Sequence, residues 1–171
     1  EDEIGWEPEP IPDEEFHGAE GDANINRAPY DQVSGVLFKR AMNIKRVCYT
    51  PAEPAPEMPE GWQGHGETVV RWLFSELPGT AEDLLQYRRF AFLRDITLLP
   101  GAATGQRQHP GLDTVLYVVD GMGYLYHRPE PGSPVVARPL RPGDAVLVEA
   151  QELYSLFNPN EDAPLRLIVL G

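Results

Sequence analysis

From residue 68 to the end of the chain, short apolar stretches alternate with polar segments that favour turns. The apolar stretches are rich in β-branched and aromatic residues, which are common in β-strands. Pairs such as Pro100-Gly101, Asp120-Gly121 and Pro142-Gly143 separate them. Strands that recur at intervals of about 8–12 residues with such turns between them are typical of a β-sandwich or β-barrel. The predicted strands are residues 69–74, 90–99, 114–119, 123–127, 135–139, 145–148, 153–157 and 165–170.

The first 65 residues have a different pattern. Residues 1–30 are acidic and contain Glu-Pro and Ile-Pro units, which favour extended backbone and remove hydrogen-bond donors. Residues 33–50 fit one or two strands or a short helix, and residues 51–59 form a proline-rich connector. We therefore divide the chain into an acidic, proline-rich N-terminal arm and connector, residues 1–65, and a β-domain, residues 66–171.

The composition of the 171-residue chain agrees with a single β-rich domain. Its 16 glycines and 18 prolines favour many turns over long helices, which excludes a coiled coil and a helical bundle. The single cysteine, Cys48, excludes an intrachain disulfide and a cluster of thiolate ligands. A lone cysteine suits the cytoplasm, which is the expected location, while a removed signal peptide stays open because the sequence starts at Glu1.

The net charge of −13 is concentrated at the N-terminus. Residues 1–20 hold nine acidic residues and no Lys or Arg. The rest of the chain contains 18 acidic and 14 basic residues. The rest of the chain therefore carries a net charge of only −4. No basic stripe is present, and we expect no nucleic-acid partner. No apolar run approaches 18 residues, so we expect no membrane span.

Two segments framed by glycines carry the strongest signal in the β-domain. The first reads Gly101-x5-Arg107-Gln108-His109-x4-Thr114-x6-Gly121, and the second reads Gly143-x5-Glu149-Ala150-Gln151-x2-Tyr154-x3-Asn158. They resemble the two motifs of the cupin superfamily, G-x5-H-x-H-x3–4-E-x6-G and G-x5-P-x-G-x2-H-x3-N. The resemblance covers residues 86–171 and implies an all-β, cupin-type jelly-roll β-barrel with an irregular N-terminal extension. Gly121 and Gly143 are expected at strand reversals, where a positive φ is often needed.

Four positions of these motifs hold a divalent metal in the family, and only one keeps a usual ligand here. They are occupied by Arg107, His109, Thr114 and Tyr154. An arginine stays protonated and cannot ligate a metal, and threonine is a weak ligand. We therefore expect no cofactor, and in particular none of the iron, manganese, nickel or zinc centres that the resemblance would imply. The alternative is an unconventional metal site made of His109, Asp113 and Tyr154.

The same positions predict a binding site for a small polar or anionic molecule. A guanidinium binds a carboxylate or phosphate with two hydrogen bonds, and Tyr and Asn side chains complete the contacts. The candidate ligand-binding residues are Arg107, His109, Thr114, Tyr154 and Asn158. If the protein is an enzyme, His109 and Tyr154 are the candidate acid and base of a metal-free isomerase, epimerase or cyclase. A metal-dependent oxygenase or lyase with unusual ligands is a further alternative.

A third class of function is an accessory or regulatory subunit. In that interpretation Arg107 pairs with an acid such as Asp113, Tyr154 fills the space of the lost metal, and the acidic arm wraps a partner protein. Cupin relatives commonly dimerise by exchanging N-terminal strands, so the resemblance also implies a homodimer in which residues 33–50 are added to the barrel or exchanged. His127 is expected on the surface.

Overall fold

The structure is a computed structural model that describes residues 16–17, 31–33, 36–38, 44, 46–50, 62, 64–75, 90–130 and 132–171. The regular elements of these residues are β-strands. The eight strands predicted between residues 69 and 170 are all present, and their ends differ from the prediction by at most two residues. In chain order the strands are β1 Phe16–His17, β2 Asp31–Val33, β3 Val36–Phe38, β4 Val47–Tyr49, β5 Thr68–Ser75, β6 Phe92–Leu98, β7 Thr114–Asp120, β8 Gly123–Arg128, β9 Val136–Leu140, β10 Ala145–Val148, β11 Leu153–Phe157 and β12 Leu165–Leu170.

The described strands are arranged in two main sheets and a separate hairpin. The larger sheet has the order β1-β4-β5-β6-β12-β7-β10, the smaller sheet has the order β11-β8-β9, and β2 pairs with β3. Neighbouring strands run antiparallel, except that β1 pairs with β4 in parallel. The expected all-β fold class, with the antiparallel sheets of a jelly roll, is confirmed.

The hydrophobic core lies between the two main sheets. On β12 the buried side chains are Leu165, Leu167 and Val169, which alternate with residues of the outer face. Leu125 of β8 and Leu156 of β11 belong to the same apolar cluster. Because alternate residues of a strand point to opposite faces, each strand has one inward row of side chains and one outward row. The inward rows form the interior between the two sheets.

The barrel is open between β9 and β10. Strand β10 ends the larger sheet and β9 ends the smaller one. Pro139 of β9 has no backbone N–H, and proline is suited to an edge strand for that reason. Between the two edges lies a cavity of about 340 Å³, whose lining includes Leu125, Leu140, Val146 and Val148. The expected jelly-roll barrel is therefore not closed, and its two facing sheets leave an open seam.

Part of the N-terminal region is incorporated into the larger sheet. Strand β4, from the ambiguous segment 33–50, pairs antiparallel with β5, and β1 pairs with β4. This segment thus adds a strand to the sheet within one chain, while its exchange between subunits stays a prediction. The connector, residues 51–59, lies outside the described residues. Within the described part of the chain, no helix has the length and apolar character needed to cross a membrane.

Candidate functional site

A row of three residues crosses the inward face of the smaller sheet: Arg107, Tyr154 and His127. The Arg107 N–H donates to the Tyr154 carbonyl at 2.7 Å, and the Tyr154 N–H donates to the Arg107 carbonyl at 2.9 Å. Tyr154 is in turn opposite His127 on β8. Directly opposite residues of antiparallel strands place their side chains on the same face. Tyr154 is 3% exposed and belongs to the core cluster, so this face is the interior.

His109 lies beside this row, between the two sheets. Its Nδ1 is 3.3 Å from Oγ1 of Thr114, a buried residue at the start of β7. Its ring centroid is 5.1 Å from that of Phe92 on β6 and 6.0 Å from that of Tyr154 on β11. The structure therefore brings together four of the predicted ligand-binding residues, Arg107, His109, Thr114 and Tyr154.

Asn158, the fifth candidate, forms its hydrogen bonds with other parts of the protein. Its side chain is fully buried, and Nδ2 lies 3.1, 3.1 and 2.8 Å from the carbonyl oxygens of Leu98, Leu99 and Ala163. Its Oδ1 accepts hydrogen bonds from the backbone N–H and side-chain amide of Asn160. Because both ends of the amide are engaged by the protein, we correct the expectation and leave Asn158 out of the ligand-binding set.

His127 was expected on the surface, and its position requires a correction. It follows Gly123 and Leu125 at alternate positions of β8, both of which are buried. It also lines the cavity between β9 and β10 and stands opposite Tyr154. The alternation along β8 was the signal for this inward position. The inward row of the smaller sheet therefore presents an arginine, a tyrosine and a histidine.

Arg94 on β6 is a second inward residue that the motif comparison did not identify. It is only 6% exposed, and its Cζ lies 4.1 Å from the ring centroid of Trp72 and 3.9 Å from that of Phe92. Phe92 is the same ring that contacts His109. The signal in the sequence was again alternation, since Arg94 stands between Phe92 and Ile96 on one face of β6. The site therefore has positive charge on both of its walls.

The side chains at the four motif positions do not fit the metal centre of the family. His109 is the one usual ligand among them, and its Nδ1 faces the hydroxyl of Thr114. Asp113 is exposed, and its Oδ1 accepts a hydrogen bond from the Ala150 N–H at 3.0 Å. Among the described residues, no three His, Cys, Asp or Glu side chains are grouped so that they could hold a metal ion. This donor set suits an anion or a polar molecule better than a divalent cation.

Sequence comparison does not identify relatives of the chain. No protein family profile matches it, and no curated protein sequence matches it.

Comparison of structures does find similar proteins. A predicted oxalate decarboxylase from Thermotoga maritima matches with a TM-score of 0.50 and 21% identity, over 69% of this chain and 91% of that chain. A Cupin 2 conserved barrel domain protein from Salinispora arenicola has a TM-score of 0.45 and 16% identity, over 60% of this chain and 73% of that one. The polyketide cyclase RemF from Streptomyces resistomycificus has a TM-score of 0.45 and 21% identity, over 60% and 63% of the two chains. At these identities the similarity concerns the fold, and this chain has the cupin fold.

Proposed function

We propose that this chain, which has the cupin fold, binds a small polar or anionic molecule between its two sheets, without a resident metal. The observation that carries the proposal is the row in which Arg107 lies opposite Tyr154, with the ring of His109 6.0 Å from that of Tyr154. These side chains supply a charged donor, a hydroxyl and an imidazole on one interior face. Such a set recognises a carboxylate or a phosphate.

The distribution of charge across the larger sheet supports an anionic ligand. Arg94 points inward, where its guanidinium stacks on the aromatic rings of Trp72 and Phe92. Its neighbour in the sequence, Asp95, is on the opposite face of β6, where it pairs with Arg166. A cation in a region of low dielectric attracts an anion more strongly than a cation in water does. The ligand that best matches this interior therefore carries at least one carboxylate or phosphate group.

The first prediction concerns the affinity of the interior site. We expect one or more of acetate, benzoate and citrate to bind saturably in isothermal titration calorimetry. Arg107→Ala should weaken this binding about tenfold or more, since it removes a charge-assisted hydrogen bond. Tyr154→Phe should weaken it several-fold, because the ring is kept and only the hydroxyl is lost. Arg141→Ala, at an exposed turn, is the matched control and should leave the affinity unchanged.

Two results would contradict this proposal. Equal affinity in the wild type, Arg107→Ala and Tyr154→Phe would show that the probes bind elsewhere. Elemental mass spectrometry of untagged protein provides the second test, because nearly one iron, manganese, nickel or zinc atom per chain would contradict a metal-free site. Melting curves of the variants separate a loss of binding from a loss of folding.

A metal-free isomerase, epimerase or cyclase is the second candidate function. The observation that favours it is the contact between Thr114 and Nδ1 of His109, which orients the imidazole next to Tyr154. An oriented imidazole and a phenol can exchange protons with a bound molecule. Nuclear magnetic resonance of each added compound after incubation detects conversion, which binding alone does not produce.

We further propose that the protein forms a homodimer through the outer apolar face, which we define by five exposed side chains on neighbouring strands of the larger sheet. Leu147 is 59% exposed and Tyr117 is 47% exposed. Val115 is opposite both Leu147 on β10 and Leu170 on β12, so the apolar residues are contiguous. An apolar patch on a regular sheet can pair with the same patch of a second copy about a two-fold axis. The five residues are Val115, Tyr117, Val119, Leu147 and Leu170.

Leu147→Glu tests this homodimer. Light scattering of the wild type should give twice the chain mass of 19.1 kDa. The variant should dissociate about a hundredfold more readily, because it places an unpaired charge in an apolar interface at a cost of about 2–3 kcal/mol. Met122→Glu is the matched control, since Met122 is apolar and 57% exposed but lies in the turn between β7 and β8. A monomeric wild type would refute the homodimer, and the acidic segment of the arm, residues 1–30, would then be the next candidate docking segment.

A further inference from the structure

Two arginines, Arg166 and Arg71, contact the buried carboxylate of Asp95 on the outer face of the larger sheet. Arg166 of β12 donates from Nε to Oδ1 of Asp95 at 2.9 Å and from Nη2 to Oδ2 at 2.7 Å. Arg71 of β5 lies further away, with Nη1 3.7 Å from the same Oδ2. Arg46, next to β4, lines a cavity together with Arg71, and burial together with the positive charge of Arg46 lowers the pKa of Arg71. Asp95 therefore accepts two hydrogen bonds from Arg166, and Arg71 has only a longer-range contact with it.

A cavity of about 150 Å³ opens beside these residues. Its volume is about five times the share of one water molecule in the liquid, about 30 Å³, and so suits a phosphate-sized ion. The backbone pairing places Val69 of β5 opposite Thr97 of β6, and both residues line the cavity. The lining residues are Arg46, Val69, Arg71, Asp95, Thr97 and Leu99.

The charge of Arg71 is poorly compensated at this position. Its side chain is only 23% exposed, and its buried Nε has no hydrogen-bond partner among the described residues. Burial lowers the pKa of Arg71, and the neighbouring Arg46 and Arg166 lower it further, whereas Asp95 raises it. The pKa of Arg166 is raised instead, because Arg166 donates hydrogen bonds to Asp95, and the charge of Asp120 adds to this effect. Arg71 lines the cavity, and its guanidinium has a carboxylate contact of 3.7 Å, so an anion in the cavity would compensate its charge.

We propose that this cavity is a binding site for a phosphate-sized oxyanion, separate from the interior site. Arg71 and Arg46 supply the positive charge, and the hydroxyl of Thr97 supplies a neutral donor. Val69 and Leu99 are the apolar residues of the lining. The proposal depends on Arg71, which lines the cavity and has only a 3.7 Å contact with Asp95, and it holds whatever the interior site binds.

Titration with inorganic phosphate tests the proposal. Isothermal titration calorimetry is performed at constant ionic strength, with chloride replaced by phosphate, so that general screening does not change. We expect saturable binding that Arg71→Gln weakens about tenfold or more and that Thr97→Val weakens several-fold. Arg141→Gln, an exposed arginine on a turn, should bind phosphate as the wild type does. Acetate should bind more weakly than phosphate, because it carries less charge and fewer acceptor oxygens.

Each outcome decides the question. Equal phosphate affinity in the wild type and Arg71→Gln, or no saturation at all, would overturn the site. If Arg71→Gln does not fold, Thr97→Val decides, since its shape is conserved and unchanged affinity would overturn the proposal. Arg107→Ala separates the two sites, because it removes a guanidinium from the interior site; the phosphate binding that is left is assigned to the outer face, and adding Arg71→Gln should weaken it about tenfold or more. In Arg107→Ala, where the interior guanidinium is absent, equal affinity for acetate and phosphate would overturn the preference for a phosphate-sized ion.

Discussion

Gly121→Ala is expected to lower the free energy of unfolding by about 3 kcal/mol. Gly121 has a φ of +80°, in the left-handed region that L-residues rarely adopt. A Cβ at this position would lie 2.2 Å from the carbonyl oxygen of Pro164 and 3.0 Å from Cα of Leu165. Both contacts are with backbone, which cannot move aside as a flexible side chain can. The loss therefore combines conformational strain with a steric clash, and urea denaturation measures it.

Gly143→Ala is the matched control for this prediction. Gly143 also has a positive φ, +90°, but an added Cβ would have no atom within 4 Å. Only the conformational strain remains, and we expect a loss of about 1 kcal/mol. Both variants thus introduce conformational strain, and only Gly121→Ala adds a steric clash. Equal losses in the two variants would contradict the crowding at Gly121.

Asn158→Ala is expected to lower the free energy of unfolding by about 4 kcal/mol, because several buried polar groups lose their partner together. The carbonyl groups of Leu98, Leu99 and Ala163 all face the Asn158 amide nitrogen. Asn160 also loses the oxygen that accepts its backbone N–H and its side-chain amide. These bonds connect the end of β6 with the loop that leads into β12. Urea denaturation at neutral pH gives the size of the loss.

Gln151→Ala is the control for Asn158→Ala, since it removes an exposed amide and should change stability by less than about 0.5 kcal/mol. Under conditions in which Asn158→Ala is folded, we expect its affinity for the carboxylate probes to be that of the wild type. The opposite result, full stability with weakened binding, would contradict the structural role and return Asn158 to the ligand-binding set.

The course of the β-domain was predictable because its signals are local. Strand length, β-branched composition and the turn residues between strands are all carried by neighbouring residues. The two motif glycines at Gly121 and Gly143 were expected to need a positive φ, and both have one. The opening between β9 and β10 was not predicted, because it depends on how the two sheet edges meet. Pro139 in β9 is compatible with a closed or an open barrel, and the position of β10 decides between the two.

The spacing of the motifs also predicted which polar residues would meet. Arg107, His109, Thr114 and Tyr154 are far apart in the chain, yet the structure places them within one region. Asn158 follows the same spacing, but the carbonyl groups that occupy its amide come from β6 and from the loop before β12. Those partners are 59 and 60 residues away on one side and 5 on the other. Only the folded structure shows that the Asn158 amide already donates to these carbonyl groups.

The sequence by itself determined the all-β class, the strand positions, the glycine turns and the departure from the family's metal ligands, because each depends on residue type and short spacing. The tertiary structure decided that His127 and Arg94 face inward, and that Arg71, Asp95 and Arg166 gather on the outer face. Those positions depend on the register between strands that are distant in sequence. A shift of one residue would exchange the inward and outward faces, so the environment of a charged side chain is set only when the sheets assemble.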